Sequence, residues 1–157
     1  MCAPPAVERT ITSRDPEATR ALGASLASIA ERGDLICLWG DLGAGKTQLA
    51  KGFGAGLGVG NTVTSPSFIL MSEYAGRLPL FHIDLYRLAG AEDALGGGLI
   101  DDRQSTGITL VEWPDRLGAA LPRERLDVRI DGTGDEPRTI RLSSHGDRHA
   151  RYLAAVS

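Results

Sequence analysis

Cysteine is almost absent from this chain of 157 residues: Cys2 stands near the start and Cys37 lies inside an apolar run. Two such residues make neither a disulfide framework nor a cysteine metal cluster, and both are expected as free thiols. Long apolar runs are missing too, none approaching the roughly 18 residues of a membrane span. The opening MCAPPAVERT lacks a basic flank followed by an apolar core. Neither a span nor a cleaved leader is therefore expected, and the chain reads as cytoplasmic. Positive charge is in deficit, 17 lysines and arginines against 20 acids, for a formal net charge of -3. Acids interrupt the late basic stretch of Arg123, Arg125 and Arg129, and nothing interleaves aromatic and basic side chains as a nucleic-acid platform does. If RNA is involved, a partner is expected to hold it. Asparagine occurs once, at Asn61 before a threonine, which excludes the Asn-Lys-x-Asp guanine reader of GTPases. With 42% hydrophobic and 24% charged residues, what remains is an ordinary globular composition, and the length fits one domain over residues 1–157.

Against these absences stands LWGDLGAGKTQLAKGFG, residues 38–54. Gly40, Asp41, Leu42, Gly43, Ala44, Gly45, Lys46 and Thr47 fit G-x-x-x-x-G-K-[ST] at every fixed position. The glycines let the backbone turn tightly and aim successive N–H groups at polyphosphate oxygens, and the helix expected from Gly45 adds its positive end. Lys46 can reach the terminal phosphates and the Thr47 hydroxyl can ligate magnesium. Composition sharpens the case for Lys46, because only Lys46 and Lys51 among the 17 basic residues are lysines. A compact ammonium fits between two phosphates where a planar guanidinium is wider and fixed in its donor geometry. Lys51 reads as a solvated surface charge.

The residues around this motif predict alternating helices and strands. SRDPEATRALGASLASIAERG reads as a helix with Asp15 as N-cap, Pro16 at the first position, Ala18, Leu22, Leu26 and Ile29 on one face, and Gly33 as stop. DLICLW is a buried strand feeding the loop. After it, Leu49, Phe53 and Leu57 recur at helical spacing, although Gly52, Gly54 and Gly56 each cost about 1 kcal/mol relative to alanine. Such a helix needs tertiary support, as close packing against a neighbour would give. NTVTSPSF reads as loop, FILMSEYAG and LPLFHIDLY as strands joined around Gly76 and Arg77, and Ala89 to Gly107 as a short helix and a mobile connection. GITLVEW is a further buried strand, Pro114 opens a brief helix ending near Gly118, RLDVRID and PRTIRLS follow as strands, and DRHARYLAAV as a helix. The sum is a three-layer α/β domain with a mixed, largely parallel central sheet.

Ligands of such a sheet collect beyond the carboxyl ends of its parallel strands. Two apolar strands end there in acids, LFHID at Asp84 and ITLVE at Glu112. Asp84 is the candidate for the second magnesium-side carboxylate alongside Thr47, with a plain cap of the next helix or turn as the alternative for it and for Glu112. Glu112 is open between positioning water, acting as a base and joining the metal shell. His82 shares a strand face with Asp84 and reads as a structural group. Trp113 either lines the site or seals the core. Ser65 and Ser67, flanking Pro66, suit a loop that follows the terminal phosphate, with a plain turn as the alternative.

Taken in order, GDLGAGKT at 40–47, SPSF at 65–68, HIDLYRL at 82–88 and VEWP at 111–114 resemble the TsaE family, small bacterial P-loop ATPases of tRNA threonylcarbamoyladenosine modification. The resemblance runs from about residue 9 to about 130. It implies ATP and Mg2+ as ligands and an ATPase that supports a complex of TsaB and TsaD, meeting tRNA only through that complex. At matching positions it implies phosphate binding by the residues from Asp41 to Thr47, magnesium ligation by Thr47 and Asp84, with Asp84 in the Walker B role, and an acid and aromatic pair, Glu112 and Trp113, beside the nucleotide. Ser67 stands where many relatives have threonine, which keeps a hydroxyl for a switch role. Two other readings share the loop: a small-molecule kinase, against which the expected mobile segment offers only Arg103 as a lid arginine, and a nucleotide-dependent binding switch with negligible turnover.

Overall fold

The structure is a computed structural model that describes residues 7–60, 63, 71–86 and 105–156. Its centre is a seven-stranded mixed sheet in the order β1-β7-β6-β2-β5-β4-β3. The strands are β1 (Val7–Ser13), β2 (Leu35–Trp39), β3 (Met71–Tyr74), β4 (Leu80–Asp84), β5 (Ile108–Glu112), β6 (Arg125–Asp131) and β7 (Arg138–His145). The four central strands β6, β2, β5 and β4 pair in parallel, and antiparallel pairs flank them on both sides.

Helix α1 (Pro16–Ala27) starts as its sequence predicts: Asp15 Oδ1 accepts the Ala18 N–H at 2.8 Å, with proline at the first turn. It ends before Gly33, however, and Arg77 from the β3–β4 turn donates to the carbonyls of Ala27, its last residue, and of Ala30 just beyond it. Helix α2 (Lys46–Gly56) follows the loop, and a short α3 (Arg151–Ala154) lies near the C-terminus.

The strand β2 is apolar throughout because both its faces are buried. Ile36 and Leu38 join Leu26 of α1, Leu49 and Phe53 of α2 and Tyr152 of α3 in one core, whereas Cys37 joins Ile83, Val111 and Leu117 on the other face. The third layer, among the described residues, is the 3-10 helix Pro114–Ala120, which supplies Leu117. Burial pushes the Cys37 thiol up, so this cysteine is an inert core residue.

The glycines of α2 have a packing role. A Cβ on Gly52 would lie 1.9 Å from the Arg20 carbonyl oxygen, and one on Gly23 would lie 2.3 Å from the Leu49 carbonyl oxygen. Backbone meets backbone here, so α1 and α2 approach closer than side chains would allow, and this contact holds α2 against α1. The strand β1 has no counterpart in the sequence reading. Its residues are mostly exposed, so no apolar alternation marks it, and its pairing with β7 from Val7↔Ser144 to Ser13↔Arg138 makes it a strand. The helix expected between Ala89 and Gly107 lies almost wholly outside the described residues.

At the end of the sheet away from the loop, buried Asp34 ties the C-terminus to the start of β2. It accepts from Arg148 Nε at 3.1 Å and from Arg151 and the Tyr152 hydroxyl. His149, 1% exposed, uses Nε2 to accept the Leu35 N–H at 3.0 Å.

Two outcomes follow from this packing. Gly52→Ala is expected to lower the unfolding free energy by about 1–3 kcal/mol through overpacking, although alanine is the better helix former by about 1 kcal/mol. A variant as stable as the parent in urea would mean that the helices do not meet at this point. Burial is the main force that pushes the His149 imidazole down from 6.5 to about 4, with Asp34 opposing and Arg151 and Arg148 reinforcing. Between those values the unfolded chain takes up a proton that the folded chain refuses, so stability falls as pH drops through the window, by up to about 3 kcal/mol. His149→Gln, which keeps an acceptor for Leu35, is expected to lose less stability over the same window; equal losses would remove His149 from the linkage.

Candidate phosphate-binding site

Strand β2 runs directly into the loop. The backbone turns through Gly40, Gly43 and Gly45 with φ of 147°, 81° and 115°, a region where a Cβ costs about 1–2 kcal/mol. At Gly40 a Cβ would also lie 2.6 Å from the Ile130 carbonyl oxygen, on the neighbouring strand β6. Gly45 is the N-cap of α2 and brings no capping side chain. The positive end of the helix and its first-turn N–H groups are thus presented to an anion, as the glycine spacing predicts.

Facing the loop are the two strand-end acids. Asp84 and Glu112 are register partners in the parallel pair β4–β5, and Glu112 is also the partner of Leu38 in β2. Both carboxylates therefore reach the carboxyl edge beside the loop. Asp84 is half-buried, and its Oδ1 accepts the Tyr86 N–H at 3.0 Å. Glu112 is buried at 3% exposure, and its Oε2 lies 2.6 Å from Nε2 of His82, which is fully buried. The expectation that His82 shares a face with Asp84 holds, but its structural duty is specific: it holds Glu112.

Lys46, the first residue of α2, is buried at 5% exposure. Its ammonium donates to the Gly40 carbonyl and sits 3.8 Å from the centroid of the Trp113 ring. Burial pushes the ammonium down from its ordinary range, while the carboxylates of Glu112, Asp84, Asp41 and Asp115 pull it back. A charge held between carboxylates and a ring face keeps its attraction for phosphate and has shed much of its water.

Trp113 serves both duties left open by the sequence. It packs half-buried against the cluster of Cys37, Val111 and Leu117 and also lines the cavity. Its φ of 59° is the sole positive φ among the described non-glycine residues, a strain of order 1–3 kcal/mol that its surroundings must hold. Tyr86 braces the ring at 4.9 Å between centroids.

Loop, acids and tryptophan enclose a cavity of about 540 Å³. Leu42, Gly43, Ala44, Gly45, Lys46, Thr47, Asp84, Glu112 and Trp113 all line it. Asp41 is exposed and turns its carbonyl to the Ala44 N–H at 3.1 Å instead of lining the cavity. Ser65 and Ser67 lie outside the described residues. Among the described residues no three His, Cys, Asp or Glu side chains form a metal cluster. A magnesium ion that arrives with phosphate does not need one, since one or two protein oxygens plus phosphate and water complete its shell. Thr47 and Asp84, which both line the cavity, are oxygen donors of the kind that chemistry needs.

The structure adds wall residues that carried no motif: Arg14, Asp15 and Thr19 at the start of α1, and Gly134, Glu136 and Arg138 at the β6–β7 turn. Asp15 was legible only as a helix cap. Arg138 had no local signal, because its place beside the loop depends on how β7 folds back on β6.

Comparison with known proteins agrees with this geometry. A family profile described as Threonylcarbamoyl adenosine biosynthesis protein TsaE matches residues 13–140. The tRNA threonylcarbamoyladenosine biosynthesis protein TsaE of Bacillus subtilis is 42% identical over 144 residues, covering 91% of this chain and 90% of that protein. The protein of the same name from Streptomyces coelicolor is 40% identical over 144 residues, covering 87% and 97%. The crystal structure of Bacillus subtilis YdiB superposes with a TM-score of 0.77 at 36% identity, covering 95% of this chain and 93% of that one.

The contact between Lys46 and Trp113 makes the site observable. Inorganic pyrophosphate that draws the Lys46 ammonium off the ring is expected to change tryptophan emission saturably in the native protein and not in Trp113→Phe, which retains Trp39. An unchanged response in Trp113→Phe would place the anion elsewhere.

Proposed function

The chain belongs to the TsaE family, and from that premise we propose that it binds and hydrolyses ATP with Mg2+ in support of threonylcarbamoyladenosine modification of tRNA. The observation that carries this reading is the convergence on one cavity of a glycine phosphate loop, a desolvated Lys46 and two register-paired acids of different surroundings. Magnesium, when bound, would neutralise phosphate charge and hold the β- and γ-phosphates in one geometry. Thr47 and Asp84 are the residues to hold it. Loop N–H groups and Lys46 take the phosphate oxygens, and Trp113 and Tyr86 cover one side and limit water.

Glu112 is assigned to the attacking water and not to the metal. Its Oε2 is committed to His82, which fixes the carboxylate plane and leaves its other oxygen to orient a water and accept its proton. His82 is then a positioning residue for Glu112. The carboxylate that His82 holds at the cavity wall supports water as the acceptor over a small-molecule substrate.

Turnover is proposed to be weak in the isolated chain and raised by TsaB and TsaD, with tRNA bound by that complex. The acidic balance of the chain supports leaving RNA to its partners. No helix among the described residues is long and apolar enough to cross a membrane, and tRNA modification puts the proposed work in the cytoplasm.

Phosphate release from MgATP, measured for the chain alone and with TsaB plus TsaD, tests the reading, with Lys46→Ala as the blank. Release above the blank that rises with the partners is expected. ADP formation that depends on a small acceptor and is not matched by phosphate release would favour a kinase, and no turnover above the blank even with partners would favour a binding switch. Glu112→Gln is expected to lose about 100-fold or more in kcat with little change in nucleotide affinity, the range of a lost general base. His82→Ala is expected to lower kcat by about tenfold with KM nearly unchanged. Native kcat in either variant would overturn that residue's role.

A further inference from the structure

Arg138 stands at the start of β7, 94 residues beyond the loop residue it touches. Its Nε donates to the Ala44 carbonyl at 2.9 Å and its Nη2 to the Gly43 carbonyl at 3.2 Å. The same guanidinium donates to carbonyls of the β6–β7 turn, Gly134 at 3.0 Å through Nη2 and Glu136 at 2.5 Å through Nη1. Four backbone carbonyls from two segments thus converge on one planar fork. The turn is shaped to allow it. Gly132 has φ of 131°, and a Cβ there would lie 2.8 Å from the Arg138 Cδ, so glycine leaves room for the arginine stem. Glu136 Oε1 closes the turn by accepting the Thr133 N–H at 2.6 Å.

We infer that Arg138 is the positioning residue of the phosphate loop, setting the direction of the loop's N–H donors by holding its carbonyls. A trans peptide is planar, with C=O and the next N–H pointing opposite ways. Fixing the Ala44 carbonyl fixes the Gly45 N–H, whereas the Gly43 carbonyl shares its peptide with the Ala44 N–H, which already donates to the Asp41 carbonyl at 3.1 Å, so the fork and that turn bond hold this second unit from both ends. Glycines at 43 and 45 leave the loop torsionally soft, so without the fork the peptide unit between Ala44 and Gly45 can rotate and turn a carbonyl dipole toward the phosphate. A guanidinium suits this task because its donors are coplanar and fixed, whereas an ammonium is a point charge on a flexible stem. In a chain with so few lysines the guanidinium here and the ammonium at Lys46 divide the work: one shapes the loop and the other meets the anion.

The inference rests on the reading that this loop binds nucleotide phosphates, and ADP titration of the full chain separates the two. Arg138→Ala is expected to bind ADP about tenfold or more weakly, the scale of one charged hydrogen bond. Arg138→Lys keeps the charge and loses the fork, and is expected to resemble the alanine variant more than the native protein. The loss is expected to persist in about 0.5 M salt, where attraction by a distant charge is largely screened, with thermal midpoints of the nucleotide-free proteins within a few degrees of one another. Native affinity in Arg138→Lys, or a loss that vanishes in salt, would reduce Arg138 to a charge and overturn the inference. Unchanged affinity in Arg138→Ala would overturn it as well, as would a collapse of the fold in both variants, which would make the residue purely structural. A native protein that binds no ADP would instead refute the nucleotide reading, and the inference would fall with it.

Discussion

Register in the parallel core is what the site depends on. Leu38 opposes Glu112 and Glu112 opposes Asp84, so the last residues of β4 and β5 arrive at the same edge at the same height, beside the end of β2. A slip of one residue would turn Glu112 into the other layer and bring Val111 to the loop. The slip is prevented by burial, since β2, β4 and β5 carry apolar side chains into two separate cores and every one of them would change face. The hydrophobic effect thus sets the position of the charged residues, and the charges do not need to find one another.

Burial also sets their chemistry. Lys46, Glu112 and His82 are all nearly excluded from solvent, and each is held by a named neighbour: the Gly40 carbonyl and Trp113 ring for Lys46, His82 for Glu112. Such an arrangement is costly in the absence of an anion, because an ammonium has given up water for a carbonyl and a ring face. The strained backbone at Trp113 belongs to the same economy. Its cost is met by packing against Val111 and Leu117 and by Tyr86, which together hold the indole where it meets Lys46.

Arginine supplies the fastening throughout. Arg77 ties the β3–β4 turn to carbonyls at the end of α1, Arg138 ties the β6–β7 turn to the loop, and Arg148 and Arg151 tie the C-terminal segment to Asp34. Arg77 and Arg138 bind carbonyls left over where a helix or turn ends, and Arg148 and Arg151 bind a buried carboxylate. The cavity is therefore framed by elements that are distant in the chain and joined by forked hydrogen bonds, while Lys46, Thr47, Asp84 and Glu112 sit on short, regular pieces of α2, β4 and β5.

That division explains what could be read in advance. The loop, the helix after it, the N-cap at Asp15 and the acids at 84 and 112 are local: glycine spacing, apolar runs and capping chemistry act within a few residues, so the sequence alone determined them, together with the α/β class. The strand β1 was invisible because an exposed edge strand has no buried face, and its only cause is the partner strand β7. The bond between His82 and Glu112 and the grip of Arg138 on Gly43 and Ala44 join residues far apart in the chain. Only the tertiary structure decided these, since parallel pairing and the return of β7 along β6 fix which distant side chains meet, and no local spacing encodes that distance.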